Sequence, residues 1–134
     1  MKMTMTLSQT WRVYLLVLFS GLFVLLPQYA LSASCDTARS FVRSYYDDLE
    51  RNDVGAARAK WIKPPKNFAR SVRNFSWTTV HSTSLNSCSG RKASVYIDVT
   101  VKAYGERAEN WEGSIYLKSI RGSWKISSMR LHEN

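Results

Sequence analysis

Ala93-Ser-Val-Tyr-Ile-Asp-Val-Thr-Val-Lys-Ala103 is the stretch on which the fold turns. Ala93, Val95, Ile97, Val99, Val101 and Ala103 alternate with Tyr96, Asp98, Thr100 and Lys102. Successive side chains of a strand point to opposite sides of its sheet, so this period of two describes a long strand with one apolar and one polar face. Asp98, between Ile97 and Val99, then points to solvent.

Outward from this strand the same chemistry continues in both directions. Ser87-Cys-Ser-Gly90 is a turn signal, and residues 75–86 before it form a Ser/Thr-rich strand with Trp77, Thr79, His81, Thr83 and Leu85 on one face. On the other side, Tyr104-Gly-Glu-Arg107 opens a loop, and residues 111–120 make a third strand through Trp111, Ile115 and Leu117. Arg121-Gly-Ser123 is a tight hairpin turn before Trp124-Lys-Ile126, and the last strand runs to about Leu131. Strands joined by short turns pair antiparallel, and the apolar face they share needs a cover.

The first third of the folded chain supplies that cover. Asp36 or Thr37 caps a helix in which Ala38, Phe41, Val42, Tyr45 and Leu49 recur at the three-and-four spacing of one face, with Arg39, Arg43, Asp47 and Glu50 largely opposite. Asn52-Asp53 interrupts this pattern and caps a short second helix through Val54, Ala56, Ala57, Ala59 and Trp61, which Pro64-Pro65 ends. One further helical turn falls around Phe68, Ala69, Ser71 and Val72. The expected fold is α+β, with N-terminal helices packed on the concave side of a curved antiparallel sheet.

Ahead of this domain, Val13–Leu26 is a 14-residue apolar run preceded by Lys2 and Arg12, with no acid before Cys35. A bilayer core takes about 20 apolar residues to cross, and Pro27 breaks the helix. The layout is that of a secretory signal peptide. Small residues precede two cleavage points: Ser32 and Ser34 before Cys35, or Ala30 and Ser32 before Ala33. The expectation is therefore a signal peptide at 1–34 and a single exported domain at 35–134, periplasmic or secreted, with no stable membrane span after cleavage. The alternatives are an uncleaved N-terminal anchor and lipidation at Cys35; Ser32 stands where a lipidation motif wants an aliphatic residue.

Export changes the meaning of the two cysteines, Cys35 and Cys88. In an oxidising compartment they are expected to pair, pinning the start of the first helix to the sheet, which in the chain-entropy account stabilises the domain by roughly 2 to 4 kcal/mol.

The full chain carries 19 basic and 10 acidic residues, a net charge of +9. Loss of the signal segment removes only Lys2 and Arg12 from this count, leaving +7. Such a domain attracts anionic surfaces. The basic residues are spread along the chain without a compact tract, and aromatics interleaved with them fit core packing better than base stacking, so there is no strong nucleic-acid signal.

Two phrases resemble a known group. Phe41-Val-Arg-Ser-Tyr-Tyr-Asp-Asp-Leu-Glu-Arg-Asn-Asp-Val-Gly-Ala-Ala-Arg-Ala-Lys-Trp61 is similar to the opening of nuclear transport factor 2-like domains, where paired aromatics lead through a turn into an Ala-rich helix. Ile115-Tyr-Leu-Lys-Ser-Ile-Arg-Gly-Ser-Trp-Lys-Ile126 resembles their closing hairpin. The nearest type is the exported accessory domains of bacteria. The resemblance implies a cystatin-like, cone-shaped fold with a pocket between helix and sheet, used by some members as an isomerase or dehydratase site and by others for ligands or protein partners.

His81 is the first candidate for proton transfer in such a pocket, with Asp47 or Asp48 as a carboxylate partner. Tyr96 and Tyr116, outward by alternation, are the candidates for binding. His81 and His132 make no metal-ligand spacing with the cysteines, and no phosphate loop, nucleophile elbow or paired-Cys motif occurs, so no metal or cofactor is expected. The expected function is a non-enzymatic binding or assembly module for an anionic, protein or small-molecule partner; the alternative is a small pocket enzyme of the isomerase or dehydratase type.

Overall fold

The alternating stretch becomes β2 (Lys92–Ala103), in which Ala93, Val95, Ile97 and Val99 are buried while the residues between them keep contact with solvent. The computed structural model describes residues 32–134, so the apolar run expected to direct export lies outside the described residues. β1 (Phe75–Ser89), β2, β3 (Glu109–Ile120) and β4 (Ser123–Glu133) form one antiparallel sheet in the order β1-β2-β3-β4. β1 is longer than its expected range. It continues through Cys88, and the reversal is confined to Gly90 and Arg91, with Gly90 at a φ of 59°.

The helices lie where the apolar face requires them. A 3-10 turn (Cys35–Thr37) leads into α1 (Ala38–Glu50), which buries Ala38, Val42, Tyr45, Tyr46 and Leu49 in the same core as Val95, Ile97, Ile115, Leu117 and Ile126. α2 (Val54–Ala59) is capped as expected by Asp53, whose carboxylate accepts from the Ala56 amide at 3.0 Å. Asn52, at a φ of 55°, donates from its side-chain amide to the carbonyls of Val72 and Phe75. That fastens the α1–α2 turn to the end of α3 (Phe68–Asn74). After α2 the chain docks on the outer edge of β4: the Ile126 amide donates to Lys60 O and the Ile62 amide to Ile126 O.

Cys35 and Cys88 are joined as expected, with Cα atoms 5.9 Å apart across 53 residues. The bond sits where Cys88 pairs with the inward-facing Ala93, on the helix side of the sheet. Just ahead of it, the Ala33 amide donates to Ser119 Oγ and the Trp124 indole N–H donates to Ser34 O. The segment before the first helix is thus held by β1 through Cys88 and by β3 and β4 through Ser119 and Trp124. Among the described residues no helix is long and apolar enough to cross a membrane.

The sheet's curvature comes from extra residues. β1 is irregular at three points, between Phe75 and Trp77, Val80 and Ser82, and Leu85 and Ser87, and β4 at one, opposite the step from Tyr116 to Leu117. Each bulge bends its strand and reverses the alternation beyond it. Where β3 meets β4 most closely, Gly113 adopts a φ of 148°, and a Cβ built there would lie 2.0 Å from Arg130 O. Relief would require moving backbone. Gly113→Ala is therefore expected to destabilise the domain by about 2 kcal/mol or more in urea unfolding; a loss under about 0.5 kcal/mol would show that the two strands are not held at this separation.

Candidate functional site

Between the helices and the open end of the sheet lies a cavity of about 640 Å³, within the size range of small-molecule sites, about 300 to 1,000 Å³. One wall is a run of edge-to-face aromatics, Tyr46, Tyr45, Trp61 and Phe68, with successive ring centroids 5.4, 6.2 and 6.4 Å apart. Leu49 and Val72 continue that wall. The opposite wall is sheet: Val99 and Val101 from β2, Trp111 from β3, and Met129 and Leu131 from β4.

The β4 bulge decides which side chains reach this wall. Trp124 and Ile126 are buried on the helix side, and simple alternation would next place Ser128 there. Ser127 is instead the extra residue, its hydroxyl donating to Tyr116 O, so Met129 and Leu131 pack against the core and Ser128 is exposed. Among the described residues, Lys66 is the only charged one on the lining, and no carboxylate, imidazole or thiol is found there.

Two phenol groups are the lining's main acidic hydrogens. Burial pushes the Tyr45 phenol up to about 12, opposed by the hydrogen bond it accepts from Trp61 Nε1 at 3.1 Å and reinforced by the charge of Asp48. Burial raises the Tyr46 phenol as well, with Tyr45 adding to the effect. Both remain protonated at neutral pH, so they can donate hydrogen bonds to a ligand but do not act as phenolate bases.

The candidate acid–base set is not brought together. His81 is the extra residue of the central β1 bulge, exposed on the face away from the helices. Its Nε2 lies 2.6 Å from Thr100 Oγ1, which in turn donates to Asn110 Oδ1. The expectation that Trp77, Thr79, His81, Thr83 and Leu85 share a face is corrected by this bulge: Thr78 and Thr83 are buried, whereas Trp77, Thr79 and His81 are exposed. Asp47 is exposed on α1. Asp48 is only 2% exposed, but its Oδ1 is held by Arg51 at 2.7 Å and its Oδ2 by Lys60, and it does not line the cavity.

Tyr96 and Tyr116 face outward, as the alternation requires, and both are engaged within the protein. Tyr96 donates to Glu112 Oε2 at 2.5 Å; the bond raises the phenol and lowers the carboxyl, which Asn134 and His132 also stabilise as the anion. The Arg130 guanidinium lies 5.9 Å from the Tyr116 ring centre. Among the described residues no three His, Cys, Asp or Glu side chains group as metal ligands. Trp111 was read from the sequence as a strand-face aromatic, whereas Met129 and Lys66 were not singled out. For Lys66 a signal exists, because Ile62–Asn74 carries Lys63, Lys66, Arg70 and Arg73 and no acid.

Helices seated in the hollow of a curved four-stranded antiparallel sheet, over a cavity at its open end, form a cone-shaped α+β fold. A solved structure described as "Putative Scytalone Dehydratase" from Novosphingobium aromaticivorans DSM 12444 shares this fold, with a TM-score of 0.55 at 13% identity over 71% of this chain and 80% of that one. No family model matches the chain, and no curated protein matches it.

The ion pairs of Asp48 give it a structural role that can be separated from ligand binding. Asp48→Asn leaves Lys60, whose side chain is 19% exposed, without its carboxylate, and is expected to cost about 2 kcal/mol in chemical denaturation. The folded variant should still take up an apolar probe; loss of uptake without loss of stability would instead place Asp48 in the binding site.

Proposed function

We propose that this is an exported, non-enzymatic binding module whose cavity holds a small apolar or amphipathic molecule. The observation that carries this reading is the lining itself: aromatic and aliphatic side chains, two neutral phenol donors, a few serines and one lysine, with no general base. Proton transfer needs a group that can accept a proton within reach of the substrate. A pocket of this composition suits desolvation of an apolar surface, with a small number of polar groups to orient it.

The second reading, a small isomerase or dehydratase, draws support from the name of the structure that shares the fold. Tyr45 and Tyr46 would serve there as hydrogen-bond donors to a carbonyl, with a base supplied by substrate or water.

Uptake of the neutral probe N-phenyl-1-naphthylamine tests the binding reading. Its fluorescence is expected to rise on addition of the protein, with transfer from Trp61 and Trp111, which line the cavity. Val101→Trp, placed to fill that space, should abolish the rise while leaving the far-ultraviolet dichroism unchanged. Failure of the unmodified protein to take up the probe would remove the proposal.

Export is supported by the Cys35–Cys88 bond, since disulfides persist in oxidising compartments. Of the two cleavage points, the one before Ala33 preserves the Ala33–Ser119 and Ser34–Trp124 hydrogen bonds, whereas a cut before Cys35 removes both partners. Intact mass of the exported protein is expected to match a chain starting at Ala33. A mass starting at Cys35 would contradict that choice, and an uncleaved chain would restore the anchored alternative.

A further inference from the structure

We propose that the ligand is a long-chain carboxylate, its hydrocarbon chain in the cavity and its single negative charge held at the mouth by Lys66; this rests on the cavity being a ligand site. Three observations converge on an anion. First, Lys66 is the only charged residue of the lining, is exposed, and enters no ion pair among the described residues. Second, the segment that carries it contributes Pro65, Phe68, Ser71 and Val72 to the same lining and contains four cations and no acid between Ile62 and Asn74. Third, a shallow groove lined by Arg58, Asn67 and Arg70 adjoins the cavity, shares Pro65 and Phe68 with it, and is also free of carboxylates.

The one buried carboxylate whose field reaches the aromatic wall does not cancel this charge. Asp48 is already neutralised by Arg51 and Lys60. Lys66 thus stands at the mouth without an ion-pair partner among the described residues, over a low-dielectric floor, an arrangement that concentrates anions, while on the opposite wall the Glu109 carboxylate accepts from the Trp111 indole N–H at 3.2 Å. The interior chooses the rest of the molecule. Leu49, Val99, Val101, Met129 and Leu131 offer aliphatic contact and no charge, so the charged end has to stay at the entrance while the chain is buried. A single lysine is a point charge on a flexible stem and suits a singly charged head; no arginine fork lines the cavity for bidentate recognition.

The test is displacement of N-phenyl-1-naphthylamine from the purified protein by dodecanoate, dodecan-1-ol and dodecyltrimethylammonium, each below its micellar concentration, at pH 8 and low salt. Dodecanoate is expected to displace the probe at about fivefold lower concentration than the alcohol, the scale of one partly exposed ion pair, with the ammonium weakest. High salt should shrink the preference. Lys66→Glu should abolish it, and Lys118→Glu, an equal charge change near the far end of β3, should leave both the preference and probe uptake intact. Equal displacement by acid and alcohol, or a preference that survives Lys66→Glu, would overturn the carboxylate assignment and leave the cavity reading standing. If the unmodified protein takes up no probe, the cavity reading and this inference fall together.

Discussion

Everything in this domain follows from the need to keep one face of a bent sheet dry. Val95, Ile97, Ile115, Leu117 and Ile126 present an apolar surface that only a second layer can remove from water, and α1 is the element long enough to do so. Its stripe of Ala38, Val42, Tyr45, Tyr46 and Leu49 meets that surface directly. Small residues near its start let the helix approach closely, where the disulfide and the Trp124 indole also hold the chain. Tyrosines and leucine near its end hold it off. The helix therefore covers one end of the sheet tightly and the other loosely, and the cavity is the wedge between them.

That wedge stays open because its frame is built from groups that cannot collapse into it. The aromatic wall is braced by the Trp61–Tyr45 hydrogen bond, and Trp61 sits on a backbone segment bridged to β4 through Ile126. Asp48 ties α1 to Lys60 at the start of that same segment. A buried ion pair is a poor source of net stability compared with apolar packing, yet it is intolerant of displacement. Here that intolerance fixes the distance between the two helical elements whose side chains frame the cavity.

Much of this architecture was legible because it is local. A period of two over Ala93–Ala103 and a helical stripe over Ala38–Leu49 are properties of consecutive residues, and the Asp53 cap and the Arg121-Gly122 turn are chemical signatures of the same kind. The cysteine pairing was legible through the apolar run read as an export signal. The bulges were not, because an extra residue leaves no mark in a strand of serines and threonines such as 75–89. Trp77, Thr79 and His81 alternate onto the outer face, and the bulge at His81 turns Thr83 inward, so the face that His81 and Thr83 were expected to share does not exist. The same limitation hid Met129 and Leu131, whose inward direction depends on Ser127. Lys66 was visible as a charge but not as a site, since only the folded segment after Pro64-Pro65 places it beside β4 residues some sixty positions away.

The bulges of β1 have a consequence beyond shape. The Lys60–Ile62 bridge occupies the margin of β4, leaving β1 as the margin with no strand beside it. A straight strand of 15 residues in that position would present a continuous ladder of amide and carbonyl groups to any other extended chain. The three interruptions divide it so that no uninterrupted stretch of pairing exceeds four residues. The kinks that hollow the sheet thus also make its free border a poor template for another strand, so the geometry that creates the cavity disfavours edge-to-edge pairing.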